Sequence, residues 1–495
     1  YIMLSSVFDP FVEKSPISVM ARGVMERTLN PEQLTQWFDS TADAQYTKEL
    51  LFSTLFDLMS QVVQGSQRSV HAAFQASIED ISVSITSIYN KLKGIEPELS
   101  SALVRYASSQ IEPIILKLLG KQRSLLPGKR IKLLDGNCIE KSHHRIKELR
   151  NIAAGPLPGK SLVVYDPLLH LPIDVFPCED GHAQERSLLK TVLETIDSDD
   201  VWIADRNFCV VDFTCGIKKR GAWFIIREHG KYPFDLIGKE KYIGKIETGT
   251  VYEQLIVVRD EAGQEHTFRR IRVKLKNETR DGDTEIFIIT NLSKSSANAK
   301  IVARLYRDRW TIETAFQRLT EYLNSEINTL GYPRAALFGF CVALVAYMIM
   351  SVVKAALGSV HGADFIEKNV SGYYVANEIE GVYQGMMIVV GNDHWIVFRT
   401  MSPSELVRLL KRLAGKVKLA KYQKHPRGPK KPQPKRVSMF EFDQYLGFLA
   451  FLTILTIGFW LMMFLLLFVV PYWLGGNLME MWKERRAAKR AEREA

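Results

Sequence analysis

Apolar residues recur at helical spacing up to about residue 125. Leu50, Leu51, Leu55, Leu58, Met59 and Val62 mark one side of a predicted helix over residues 49–63, and the same period returns over 99–119. Residues 69–92, rich in Ser and Ile, predict another helix. Asn30 before Pro31 reads as a helix cap followed by a first helical residue that needs no backbone donor. After Pro127 the period shortens. Strands are predicted at 130–134, 161–165, 171–176, 201–204 and 222–227, with helices over 183–196 and 211–219 between them. Strands alternating with helices indicate a mixed α/β sheet.

From residue 231 to about 283 the pattern is rich in strands and turns. Residues 251–259 and 267–275, joined by Asp260-Glu261-Ala262-Gly263, predict a long hairpin, and 285–290 a further strand. Residues 295–325 then read as one long helical stretch.

Two apolar runs carry different expectations. Residues 335–353 lack formal charge but hold small residues, Cys341 and Tyr347 inside a globular pattern, which predicts a buried core helix. Residues 446–475 are uncharged and dominated by Leu, Phe, Ile and Met. Trp460, Tyr472 and Trp473 add interfacial aromatics, and Lys483, Arg485, Arg486, Lys489 and Arg490 follow. That run predicts a transmembrane helix whose flanks are both basic, so its orientation is not set.

Composition adds two points. With 495 residues, 46% hydrophobic and 24% charged, the chain can build several domains and is neither disordered nor collagen-like. The net charge of +10 is local: residues 406–440 hold twelve Lys or Arg and no acid, and without those twelve the remainder stands at −2. A polyanion partner is expected there, through Lys421, Lys424, Arg427, Lys430 and Lys431 in particular. The five cysteines, odd in number and without CxxC spacing, argue against a disulfide scaffold or zinc site and for a reducing compartment. No secretory signal stands at the start of this sequence, which begins at Tyr1.

Three acids draw attention by position. Asp135 and Asp205 end predicted strands, where ligand sites of open α/β sheets gather, and Glu313 lies in the following helical stretch. Together they can bind hard divalent cations through oxygen. Taken singly, each is ordinary turn or surface chemistry. In Tyr306-Arg307-Asp308-Arg309-Trp310-Thr311-Ile312-Glu313, helical spacing puts Arg309 and Glu313 on one face with Tyr306 a turn earlier. A guanidinium and a phenol beside a metal-binding carboxylate suit phosphate recognition.

This arrangement resembles the insertion-sequence transposases of the DDE type. Tyr306, Arg309 and Glu313 match their Tyr-x2-Arg-x3-Glu-x6-Lys motif, and the neighbourhoods of Asp135 (Asp-Gly-Asn) and Asp205 (Asp-Arg-Asn-Phe) are similar to their first two motifs. The motif's final Lys is replaced by Thr320. The resemblance implies an RNase H-like core interrupted by a β-rich insertion, with Asp135, Asp205 and Glu313 as catalytic metal ligands for Mg²⁺ or Mn²⁺, as two ions. It also implies Tyr306 and Arg309 on DNA, a homodimer on double-stranded terminal repeats and target, and a cytoplasmic, DNA-associated protein.

The expected organisation is a helical region at 1–125 for DNA and dimer contacts, core parts at 126–230 and 294–375, and a β insertion at 231–293. A basic region at 376–440 and an apolar tail at 441–495 complete it. The expected chemistry is cleavage at transposon ends and strand transfer by a 3′ hydroxyl. The rival reading is a membrane-anchored or degenerate DNA-binding protein without catalysis, tethered through 446–475.

Overall fold

The computed structural model describes residues 4–43, 49–120, 126–139, 159–181, 183–279, 282–327, 330–425 and 446–494. The His143-His144 pair and the cations Arg427, Lys430 and Lys431 lie outside them. Two compact units result, one of residues Tyr1–Glu278 with Asp283–Pro426, the other of Arg427–Ala495 with Thr279–Gly282.

The first unit is built on a nine-stranded mixed sheet. Its strands are β1 (Arg130–Cys138), β2 (Lys160–Asp166), β3 (Leu171–Cys178), β4 (Asp200–Ala204), β5 (Trp223–Arg227), β6 (Asp235–Ile246), β7 (Gly249–Arg259), β8 (Glu265–Leu275) and β9 (Glu285–Thr290). They lie in the order β3-β2-β1-β4-β5-β9-β8-β7-β6. β1, β4 and β5 are parallel, and every other neighbouring pair is antiparallel. Residues 235–290 therefore do not form a separate layer: β9 hydrogen-bonds to β5 and continues the same sheet.

Strand alternation gives the sheet two apolar faces. Leu133, Val163, Val201 and Ile203 belong to the larger core, while Leu134, Leu162, Val164, Trp202 and Ala204 pack into the second. The larger core is covered by helices. Pro333–His361 is buried along 94% of its most apolar window, although its length and composition would also cross a membrane. It packs against Pro16–Thr28, Phe52–Val63, Pro97–Leu119 and Pro403–Ala414. An apolar run that other helices surround on all sides has no need of lipid.

Three helical expectations are revised. Residues 69–92 split into Val70–Ala76 and Ile85–Gly94, each started by a serine, Ser69 or Ser84, that accepts from a backbone amide. Residues 183–196 give only a 3-10 turn (Glu185–Leu188) and the short helix Leu189–Glu194. The stretch 295–325 becomes two helices, Ala299–Arg307 and Trp310–Tyr322. Arg309 N–H and Thr311 N–H bond carbonyls three residues back, at Tyr306 and Asp308, so the chain tightens between them.

The basic stretch begins as an amphipathic helix. Pro403–Ala414 opens with a capping box between Ser402 and Glu405 and buries Leu406, Val407, Leu409, Leu410 and Leu413. Arg408, Lys411 and Arg412 occupy its other side.

The second unit is described for one long helical element: Leu446–Phe464, a π-type turn at Leu465–Val469, and Val470–Glu494. Residues Gly447–Arg490 are long and apolar enough to cross a membrane, and their most apolar window is unburied.

Candidate active site

β1 and β4 run parallel, and their last registered pair is Leu134 with Ala204. The next residue on each strand is an aspartate, so the register itself sets Asp135 beside Asp205. β4 ends there, whereas β1 continues to Cys138 against β2. The two carboxyl groups thus stand where the parallel ladder stops, at the carboxyl ends of strands. The Glu185 carboxylate lies over Gly136, where a Cβ would stand 2.2 Å from its oxygen and displace it. Sequence spacing gave no signal for Glu185, which reaches β1 from the 3-10 turn.

The third acid arrives from across the sheet face. Glu313 is in the first turn of Trp310–Tyr322. Arg309, at the start of that helix and only 6% exposed, links the acids: its Nη2 donates to Glu313 Oε1 at 2.7 Å and its Nη1 to Asp135 Oδ2 at 3.2 Å. Tyr306 OH donates to Asp205 Oδ1 at 3.4 Å. The helical break does not separate the motif, because Arg309 keeps αR dihedrals (φ −52°, ψ −34°) through the junction. All five residues expected from the motif meet here: Asp135, Asp205, Tyr306, Arg309 and Glu313.

Burial dominates the electrostatics of the site. Burial pushes the Asp135 carboxyl up to about 7. Arg309 and the Gly136 amide pull the other way, and Glu313 and Asp205 add repulsion. Burial also works against the Arg309 charge, yet Tyr306, Asp135, Asp205 and Glu313 outweigh it and hold its pKa above the ordinary value. The Tyr306 phenol is raised by burial. Asp135, Asp205 and Glu313 surround the Arg309 guanidinium, Arg227 at the end of β5 interacts with Asp205, and the Nε–H of Arg309 is buried without a hydrogen-bond partner.

That donor set fits a hard divalent cation in charge and in oxygen chemistry. It does not yet have the spacing: among the described residues, no three acids or histidines stand close enough to hold one ion. Arg309 bridges the carboxylates instead.

Of the expected DNA contacts in the basic stretch, Lys421 is exposed on the 3-10 turn Leu419–Tyr422. Lys424 is tied to the body of the protein, its amide to the Asn369 carbonyl and its ammonium to the Glu367 carbonyl.

Comparison with known proteins supports the same class. Residues 128–349, a little under half of the chain, match the family described as Transposase DDE domain. This segment is similar to the transposase DDE domain. It holds β1 through β9 and all five motif residues. The "Putative transposase y4zB" of Sinorhizobium fredii is 26% identical over 199 residues, 39% of this chain and 52% of that relative. The chain thus spans about half the length of the curated relative it matches. The insertion-sequence resemblance read from Asp135, Asp205 and the Tyr306–Glu313 segment is borne out at this level.

Proposed function

We propose that the chain is a DNA transposase that cuts phosphodiester bonds at transposon ends and joins the resulting 3′ hydroxyl to target DNA. The observation that carries this reading is the meeting of Asp135, Asp205 and Glu313, distant in sequence, around one buried guanidinium inside the segment similar to the transposase DDE domain. β1–β5 would serve as an RNase H-like core and β6–β8 as its insertion. The sheet order and the return of the chain through β9 to the helices carrying Tyr306 and Glu313 support that assignment.

Asp135, Asp205 and Glu313 would hold Mg²⁺ or Mn²⁺. Bound as a pair, such ions supply the positive charge that attacking and leaving oxygens need in an in-line displacement at phosphorus. The remaining steps belong to the chain. Arg309 presents a fork of donors suited to a phosphate that arrives next to Asp135 and takes over from its carboxylate partners. Tyr306 orients the Asp205 carboxylate by its hydroxyl. Lys421 and the cations that follow it would lie on the DNA backbone and make affinity salt-dependent. Double-stranded repeat ends and target are the substrates, and a homodimer pairing two ends is the working assembly. The test is cleavage and joining of end DNA by Asp205→Ala protein: loss of both with DNA binding retained supports the assignment, and wild-type levels of products overturn it.

A second reading is favoured by one feature, the unburied apolar helix Gly447–Arg490. A membrane-anchored DNA-binding protein without catalysis would stay with the bilayer through carbonate extraction and cut nothing.

A further inference from the structure

We infer that the protein carries a second anion site, for a phosphate monoester of mononucleotide size, in a cavity behind the helix that bears Glu313. This does not rest on the transposase reading. Arg318 follows Glu313 by five residues, which at 3.6 residues per turn places it about 140° around the helix. There it lines a cavity of about 300 Å³, within the range of small-molecule sites. The β2–β3 turn and the helices Pro97–Leu119, Pro333–His361 and Ala363–Asn369 close the other sides.

The lining combines apolar Leu118, Leu169 and Ile366 with polar Arg318, Lys354 and Tyr347. One carboxylate holds the two cations in place: Glu367 Oε1 accepts from Arg318 Nη2 at 2.5 Å, and its Oε2 from Lys354 Nζ at 3.0 Å. Lys424 approaches from outside and donates to the Glu367 carbonyl. Two cations, Arg318 and Lys354, and two carboxylates, Glu367 and the rim residue Asp364, line the cavity, and Lys424 just outside the lining is a third cation. Burial lowers the Lys354 pKa, and Arg318 and Lys424 lower it further against the pull of Glu367. A dianion would relieve that crowding, and an apolar body would cover the apolar side chains beside it.

His170, at the cavity, takes the left-handed conformation, φ 55°, at the end of the β2–β3 turn, and its carbonyl accepts from Ser351 Oγ at 3.0 Å.

The test is calorimetric titration of the full chain at fixed low salt with inorganic phosphate, deoxyadenosine monophosphate and deoxyadenosine. Phosphate and the nucleotide are expected to bind, and deoxyadenosine to bind about tenfold more weakly than the nucleotide or not at all. Arg318→Gln is expected to weaken nucleotide binding about tenfold. Because it also breaks the Glu367 pair, Ala355→Leu serves as a second variant, filling the cavity from its wall without altering a charge. It should weaken the nucleotide too. Absence of phosphate and nucleotide binding at millimolar concentration, or full binding in both variants, overturns the inference. Displacement of the nucleotide by a 5′-phosphorylated duplex and not by its 5′-hydroxyl counterpart identifies the ligand as a DNA end. Displacement by neither identifies a free nucleotide, and equal displacement by both overturns the monoester assignment.

Discussion

Arg309 Nη1 stands 3.2 Å from Asp135 Oδ2, with the arginine side chain 8% exposed and the aspartate 19%. The same guanidinium holds Glu313. An exposed i,i+4 pair contributes only a few tenths of a kcal/mol, but here one cation separates two carboxylates that would otherwise repel at low dielectric. Arg309→Ala is expected to lower stability by on the order of 2–3 kcal/mol, because it leaves half-buried acids unpaired. Arg309→Lys should recover part of that and still lose phosphate affinity, since an ammonium lacks the fork. Urea denaturation and end-DNA binding, run on the same preparations, check both statements.

The raised Asp135 pKa fixes a pH dependence in metal-free protein. An acid at about 7 when folded and near 3.8 when unfolded keeps its proton longer in the folded state. Its contribution is fully present below pH 3.8, and stability is lost as pH rises from there through about 7, then levels. Denaturant midpoints measured in chelator across that window should fall with pH, and Asp135→Asn should flatten the decline.

Much of this was legible in the chain, for local reasons. β1 and β4 are short apolar runs ended by Asp135 and Asp205, and the Arg309–Glu313 spacing is a one-turn relationship that survives the break at Asp308. What escaped was long-range. No local period shows that β9 pairs with β5 and turns the β-rich segment into a continuation of one sheet. Nor does the sequence bring Glu185 against Gly136, or Arg318 to Glu367 and Lys354, since those contacts depend on how helices dock. The uncharged run 335–353 was separable from a membrane span by its small residues, and the packing of other helices around it gives the reason.

Thr320 occupies the place where the related motif has Lys. It is exposed, and its hydroxyl donates to the Phe316 carbonyl at 3.2 Å, a contact that can be given up cheaply. Thr320→Lys is expected to tighten end-DNA binding and to steepen the dependence of log affinity on log salt by about one. Binding isotherms at several salt concentrations check this; an unchanged slope means that the position does not face DNA.

Deleting residues 421–436 removes seven of the twelve clustered cations and leaves the capped helix Pro403–Ala414 intact. DNA affinity should fall and its salt dependence become shallower, each lost phosphate contact reducing the slope by about 0.9. Unchanged affinity and slope would show that the segment does not contact DNA.

Asp135, Asp205 and Glu313 are proposed to form one metal-dependent active site. That assignment is tested most directly by Mg²⁺-dependent cleavage and strand transfer on DNA carrying the element's own flanking repeats. Wild type is compared with Asp135→Ala and Glu313→Ala, each truncated near Asp443. Products are expected from the wild type alone, with all three proteins binding DNA. Products from either variant at the wild-type rate would contradict it.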